Sequence, residues 1–424
     1  MANGFSKEEV VMFDKLLEGF DDATVISGMA TVTNTNQTTM ERTGDILWFP
    51  QPYIMTTYSG NDATANFKDV TQLSVPATID QQKHAPWILT ARQLRDAQQA
   101  GRLTEAAKQK LASDINIDVM NKVSLLGSLV VKRTTAATGF DDVAIADSMF
   151  TEQGIPRDSR VLALSPRDYN NMAGNLAKPQ TSGLSRTETA YDKARLGDVS
   201  GFDTYKMDYA YRLTLAAGVG VTITNTQPLN YVPVAATETA GRGWLNVDNR
   251  FQVISIAVTS GTVKVGDCFT LAGVNAVHHI AKQDTGQLKT FRITRIVTGA
   301  GGTGTVEITP PIISNDGVNP STAQYQNVTA APANGAAITF LNTATAYVNP
   351  FWQGDAVQIL PGRLEPAQNS GLAVMYGTTD RGFGLLMTRQ GEINDLNTKY
   401  RLDALWGSFI ANPEMAGIEL FSQV

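Results

Sequence analysis

Gly299-Ala-Gly301-Gly-Thr-Gly304 has the G-x-G-x-x-G spacing with which a dinucleotide-binding turn brings backbone amides to a pyrophosphate. That chemistry requires a helix to begin at the glycines, so that its first N–H groups face the phosphates. Here Thr305-Val-Glu-Ile-Thr309 continues as an alternating strand into Pro310-Pro311, so the glycines predict a hairpin loop. His278 and His279 are adjacent and His84 is remote. Neighbouring histidines point to opposite faces of a strand and diverge on a helix, and no carboxylate cluster completes a ligand set, so no metal is expected. Cys268 is the only cysteine, which excludes an intrachain disulfide, and it sits where a small buried hydrophobe would serve. No nucleophile elbow, P-loop or H-E-x-x-H motif is present. No catalytic, cofactor-binding or metal residue is assigned, and the chain is not expected to be an enzyme.

Composition agrees with a globular protein: 424 residues, 42% hydrophobic and 17% charged. A net charge of −6 argues against a basic surface that grips nucleic acid. The acidic start Met-Ala-Asn-Gly-Phe-Ser-Lys-Glu-Glu lacks a signal peptide's basic flank, and no segment approaches the ~18 apolar residues of a membrane span. A soluble, cytosolic product without membrane attachment is expected.

Without catalytic chemistry, the elements themselves must carry the function. Residues 221–347 form a nearly continuous series of short strands, among them Phe251-Gln-Val-Ile-Ser-Ile-Ala-Val258 and Thr290-Phe-Arg-Ile-Thr-Arg-Ile-Val297. Polar residues at every second place predict one buried and one wet face. Helices and irregular connections flank this region, so it reads as a β-domain inserted into an α+β host. Ser6 and Glu9 have capping-box spacing, Val10, Phe13 and Leu17 recur at helical spacing, and Gly19 offers a left-handed stop. Ile46-Leu-Trp-Phe-Pro50 and residues 67–75 predict a long hairpin, which is marginal alone and needs a neighbouring surface. Thr90 and Gln93 predict a helix start, and apolar spacing over residues 104–129 predicts a helix of ~35–40 Å. Residues 141–152 read as a helix and 160–165 as a strand, after which Ser165 caps a helix begun by Pro166. Arm, hairpin and connector are surface that one subunit cannot bury.

In this order the elements resemble the major capsid (coat) protein of tailed double-stranded-DNA bacteriophages, and more closely the phage P-22-like coat proteins of short-tailed phages. The likeness is carried by Met40-Glu-Arg-Thr-Gly-Asp-Ile-Leu-Trp-Phe-Pro50, Leu94-Arg-Asp96, Gly127-Ser-Leu-Val-Val131, Gly201-Phe-Asp203, Asn246-Val-Asp-Asn-Arg-Phe251, Val306-Glu-Ile-Thr-Pro310, Ala404-Leu-Trp406 and Pro413-Glu-Met-Ala-Gly-Ile418. The resemblance implies an α+β HK-97-like capsid fold carrying an inserted antiparallel β-barrel. It apportions the chain as N-arm 1–39, E-loop hairpin 40–85, P domain with spine helix 86–140 and A domain 141–220. The inserted I-domain follows at 221–347, the rest of the A domain at 348–395 and C-terminal P-domain strands at 396–424.

It further implies a structural protein that self-assembles, as pentamers and hexamers and with a scaffolding protein, into an icosahedral procapsid. That shell expands as double-stranded DNA is packaged through a portal protein; DNA is enclosed without tight binding, in agreement with the acidic charge. Virion localisation after assembly in the bacterial host cytoplasm is implied, with no cofactor. By the same resemblance Glu8, Glu9, Asp14 and Glu18 are candidate contacts to a basic scaffolding helix. Glu238 and Arg242, in the loop 236–244, are candidate contacts between capsomers, although this loop lacks the family's run of acids. The alternatives are an encapsulin-like nanocompartment shell, which shares the host fold but lacks the inserted barrel, and a hydrolase with a dispersed site in which residues 178–195 form a lid.

Overall fold

The computed structural model describes residues 5–33, 46–64, 66–90, 92–93, 97–176, 197–239, 243–364, 372–392 and 394–424. From the N-terminus the elements are α1 (Lys7–Ala23), β1 (Thr31–Val32), β2 (Ile46–Pro50), β3 (Ser74–Thr78), β4 (Gln81–Thr90), α2 (Ala97–Leu126), β5 (Leu129–Lys132) and α3 (Phe140–Gln153). There follow β6 (Arg160–Leu164), α4 (Pro166–Leu176), β7 (Asp198–Val199), β8 (Phe202–Lys206), β9 (Arg212–Leu213), β10 (Thr222–Thr224), β11 (Ala236–Thr239) and β12 (Gly243–Asn246). Next are β13 (Gln252–Ala257), β14 (Cys268–Val277), β15 (Asp284–Ile296), β16 (Gly304–Thr309), α5 (Pro320–Gln324) and β17 (Ile338–Phe340). The chain closes with β18 (Ala346–Gln353), β19 (Val357–Pro361), β20 (Ala373–Thr378), β21 (Gly384–Glu392), β22 (Asn397–Ile410) and β23 (Ala416–Leu420).

These elements form two compact units. The first comprises Met1–Leu47, Ala77–Val119 and Val357–Phe409. Its sheet runs β1-β19-β22-β21-β20, with β4 also paired to the long β22. The expected capping box at Ser6 forms: Ser6 N–H donates to Glu9 Oε2 (2.7 Å) and Glu9 N–H to Ser6 Oγ (3.3 Å). The helix runs past Gly19 to Ala23, however, and the buried stripe is Glu9, Phe13, Leu16 and Phe20, with Val10 left exposed. Gly19 serves close packing instead of a stop, because a Cβ there would lie 2.7 Å from the Lys108 ammonium on α2.

The second unit comprises Trp48–Pro76, Met120–Ala356 and Ile410–Val424. Its host sheet runs β5-β23-β18-β6-β8-β7, with β9 on β18. Against it pack Val143, Ala146 and Phe150 of α3 and Tyr169, Met172 and Ala173 of α4. As Ser165 and Pro166 predict, Asp168 N–H donates to Ser165 Oγ (3.3 Å) at the start of α4. The inserted strands form their own antiparallel sheet, β10-β13-β16-β15-β14-β17, around Ile254, Phe269, Phe291 and Ile308. Ile338 N–H donates to Val221 O (2.9 Å) and Ile223 N–H to Ala336 O (2.9 Å), which joins the first strand to the last and closes a barrel.

Several expected boundaries shift. β2 and β3 pair as the predicted hairpin, but the second strand begins at Ser74, where Val75 and Ala77 turn inward. β4 pairs with β22, so residues 81–85 continue in one strand with residues 86–90. Residues 348–395 do not act as one piece: β18, buried from Val348 to Gln353, is central in the host sheet of the second unit. After the turn Gly354–Ala356 the strands β19, β20 and β21 belong to the first unit. Residues 396–424 divide likewise into β22 and β23.

Candidate interaction surfaces and the joint of the inserted barrel

The barrel is fastened to its host by polar residues of β15. Phe291 and Ile293 fill the barrel core, so the alternate residues Thr290 and Arg292 face outward, where alternation predicts water. That face is dry: Arg292 is fully buried against the last turn of α2. Its guanidinium donates from Nη2 to Ser124 O (2.6 Å), from Nη1 to Gly127 O (3.2 Å) and from Nε to Gly266 O (3.2 Å). Helix ends leave carbonyls without intrahelical partners and carry partial negative charge, so the cation satisfies both needs. Thr290 Oγ1 donates to Ser128 O (2.7 Å) just beyond.

Lys289 is also wholly buried, and its ammonium donates to Glu414 Oε1 (2.5 Å) with Gln153 Oε1 at 3.5 Å. Asn327 Nδ2 donates to the same Glu414 oxygen (3.2 Å), and His279 Nδ1 lies 4.0 Å from the other. Burial alone would raise the Glu414 carboxyl; the Lys289 charge, with His279 and the donated hydrogen bonds, holds it well below the carboxylate range instead. Burial first, and then the nearby lysines, push His279 down to about 4 against the pull of Glu414, so it is neutral at pH 7. This pair therefore ties β15 to the C-terminal segment and to the end of α3.

The residues singled out from the sequence lie elsewhere. Glu8, Asp14 and Glu18 are exposed on α1, and none has a hydrogen-bond or ion-pair partner among the described residues. Glu9 is a correction: it is 7% exposed, accepts from Arg389 Nη1 (3.1 Å) and Tyr400 OH (2.5 Å), and stitches α1 to its sheet, so it is not offered to a partner. A single helical period places it on the inner face, whereas its acidity alone had grouped it with the others. Glu238 is exposed on the ribbon β11–β12, directly across from Trp244, which is 71% exposed. Arg242 lies outside the described residues.

An open groove of about 940 Å³ runs between residues 54–70 and the barrel segments 280–282 and 315–326. Met55, Phe67 and Ile280 are left uncovered along it, Phe67 at 86% exposure. Together these side chains leave apolar surface uncovered along the groove. The loop is held at its base, where Gln324 Nε2 and Tyr325 OH both donate to Thr71 O (2.9 and 2.8 Å).

Gly299–Gly304 is the predicted hairpin loop, joining the antiparallel β15 and β16 with Gly299 at φ 83° and no following helix. His278 acts locally, its Nδ1 accepting from Ile280 N–H (3.2 Å) and Ala281 N–H (3.0 Å). Cys268 is buried, and burial pushes its thiol up to about 11. Among the described residues no group of three or more His, Cys, Asp or Glu is arranged to hold a metal, and no helix is long and apolar enough to cross a membrane.

A host of two helix-buttressed sheets, a closed barrel inserted between β9 and β18, and an uncovered arm, loop and ribbon define a phage capsid subunit of the HK-97-like class. The chain belongs to the P22 coat protein family, whose model, "P22 coat protein - gene protein 5", matches residues 1–422. Among solved structures it is similar to the capsid of cyanophage P-SCSP1u (12% identity over 95% of this chain and 89% of that one, TM-score 0.45). It is similar also to the chain from Mycobacterium phage Che8 (10% identity, 93% and 90%, TM-score 0.44) and to the CUS-3 coat protein I-domain (37% identity, 29% and 95%, TM-score 0.22). It is a structural protein of the virion, a coat subunit that assembles with copies of itself into a shell, and not an enzyme. The nanocompartment and hydrolase readings give way to this family.

Proposed function

We propose that this coat protein first assembles in the bacterial cytoplasm, as pentamers and hexamers around a scaffolding protein, into a procapsid that expands when double-stranded DNA enters through a portal. The domain roles expected for the N-arm, E-loop, P, A and I segments belong to this reading. The observation that carries it is the outer face of α1. Asp14 and Glu18 stand one turn apart with the exposed Val11 beside them, and Glu8 lies nearer the N-terminus, all without partners among the described residues. Like charges four residues apart weaken a helix slightly, so their placement favours a basic partner. Exposed charge pairs contribute only ~0.2–1 kcal/mol each, which suits a partner that must leave.

The experiment is coassembly with a scaffolding protein, read by electron microscopy and by the scaffold content of the particles. Wild-type chains are expected to form closed shells. The E8Q/D14N/E18Q triple variant is expected to keep its fold and to retain several-fold less scaffold. Unchanged scaffold content rejects the α1 assignment, and a chain that stays monomeric with scaffold present rejects the whole reading.

Contacts between capsomers are assigned to the ribbon, through Glu238, Arg242 and Trp244. An exposed tryptophan is a typical interface anchor and contributes little to the free subunit. Trp244→Ala is therefore expected to change subunit stability by less than ~0.5 kcal/mol. Assembled shells should nonetheless dissociate at clearly lower urea, a difference read by light scattering. Equal urea midpoints for wild-type and variant shells would remove Trp244 from the contact.

A further inference from the structure

Glu419 lies on β23, opposite Asn349 of β18 on one side and Val131 of β5 on the other. Its side chain is wholly buried, and neither carboxylate oxygen has a hydrogen-bond partner among the described residues. The elements packed here face it with Asp142 from α3, Asp168 from α4, Arg133 just after β5, and Asn349. The nearby donors are committed elsewhere. Arg133 Nε donates to Asp142 Oδ1 (2.7 Å), and Thr138 N–H and Gly139 N–H donate to Asp142 Oδ2 (2.6 and 3.1 Å). Ser165 Oγ and Asn349 Nδ2 donate to Asp168 Oδ2 (2.7 and 3.0 Å). An ionised Glu419 would be a third negative charge in a dry layer with one arginine.

We propose that Glu419 is a proton-operated lock on the α3–α4 face of the host sheet. Neutral, it lets the two helices close on β23; ionised, it repels Asp142 and Asp168 and favours opening of the layer. Burial above all, then Asp142, with Asp168 adding and Arg133 opposing, pushes the carboxyl up to about 8 from its ordinary value of 4.5. Between those values the closed layer holds a proton that the open layer releases. Stability is therefore highest at the acid end and is lost as pH rises, with the opening equilibrium growing about tenfold per pH unit and levelling above about 8.

The test is amide hydrogen exchange of Ile418 and Leu420 in the intact chain between pH 5.5 and 8, each rate divided by that amide's unfolded rate. Wild-type protection is expected to fall about tenfold per pH unit. Glu419→Gln keeps the shape and cannot ionise, and it should show that much less slope. Should it fail to fold, Glu419→Met repeats the comparison without polar atoms. A pH-independent wild-type profile, or a folded variant with the wild-type slope, overturns the proposal.

Discussion

Replacing Glu414 with alanine is expected to lower protection of the β15 amides Thr290 to Ile293 from exchange by roughly a hundredfold to a few thousandfold. That range corresponds to about 3–5 kcal/mol, the usual cost of breaking a buried ion pair from one side. The loss arises because the Lys289 ammonium stays wholly buried with, among the described residues, only Gln153 Oε1, at 3.5 Å, in reach. Removing both charges has a different outcome. Lys289→Met with Glu414→Leu leaves no stranded cation, and such apolar replacements are often neutral or stabilising. The double variant should therefore recover most of the protection. If it is as damaging as E414A, the pair contributes attraction beyond its own desolvation, and a smaller loss than tenfold in E414A would show that the joint does not depend on it.

Arg292→Met is expected to be of similar size and to act at a different place. It strands carbonyls at the end of α2, and each buried unsatisfied acceptor costs ~1–3 kcal/mol. With Ser124 O, Gly127 O and Gly266 O all affected, about 3–5 kcal/mol is expected, allowing for relaxation. Lysine should rescue only in part, since a single ammonium cannot reproduce a fork reaching three acceptors. The readout is exchange at Leu125 to Gly127, in host residues outside the barrel. If R292M loosens the barrel strands and leaves the helix end as protected as in wild type, the guanidinium is not what couples the two.

Much of this architecture is legible in local signals. The capping box at Ser6, the cap at Ser165 and the loop at Gly299–Gly304 each follow from patterns only a few residues long, and all are present, whereas closure of the inserted strands into a barrel is implied by the resemblance alone. What escapes is whatever depends on a distant partner. Thr290 and Arg292 alternate with core residues just as solvent-facing residues do; their face is dry only because α2 ends against it. Glu9 reads as one acid among several until Arg389 and Tyr400, far along the chain, surround it. Glu414, half-buried, and Glu419, wholly buried, sit in an unremarkable C-terminal stretch, and nothing local marks either placement. The resemblance to coat proteins supplied the arm and ribbon acids, but periodicity could have separated Glu9 from Glu8, Asp14 and Glu18.

The strands flanking the insertion are themselves neighbours. Ala346 of β18 pairs with Leu213 of β9, and Tyr347 with Arg212, so the polypeptide departs and returns through opposed rungs of one ladder. Topologically the barrel is a cassette mounted on a hairpin, and a tight turn could in principle bridge the same gap. The position is thus a natural port for splicing foreign modules onto a shell, provided the graft carries a cation where Arg292 now seals the helix. A turn alone would leave those carbonyls bare, which makes the cassette removable by connectivity and indispensable by chemistry.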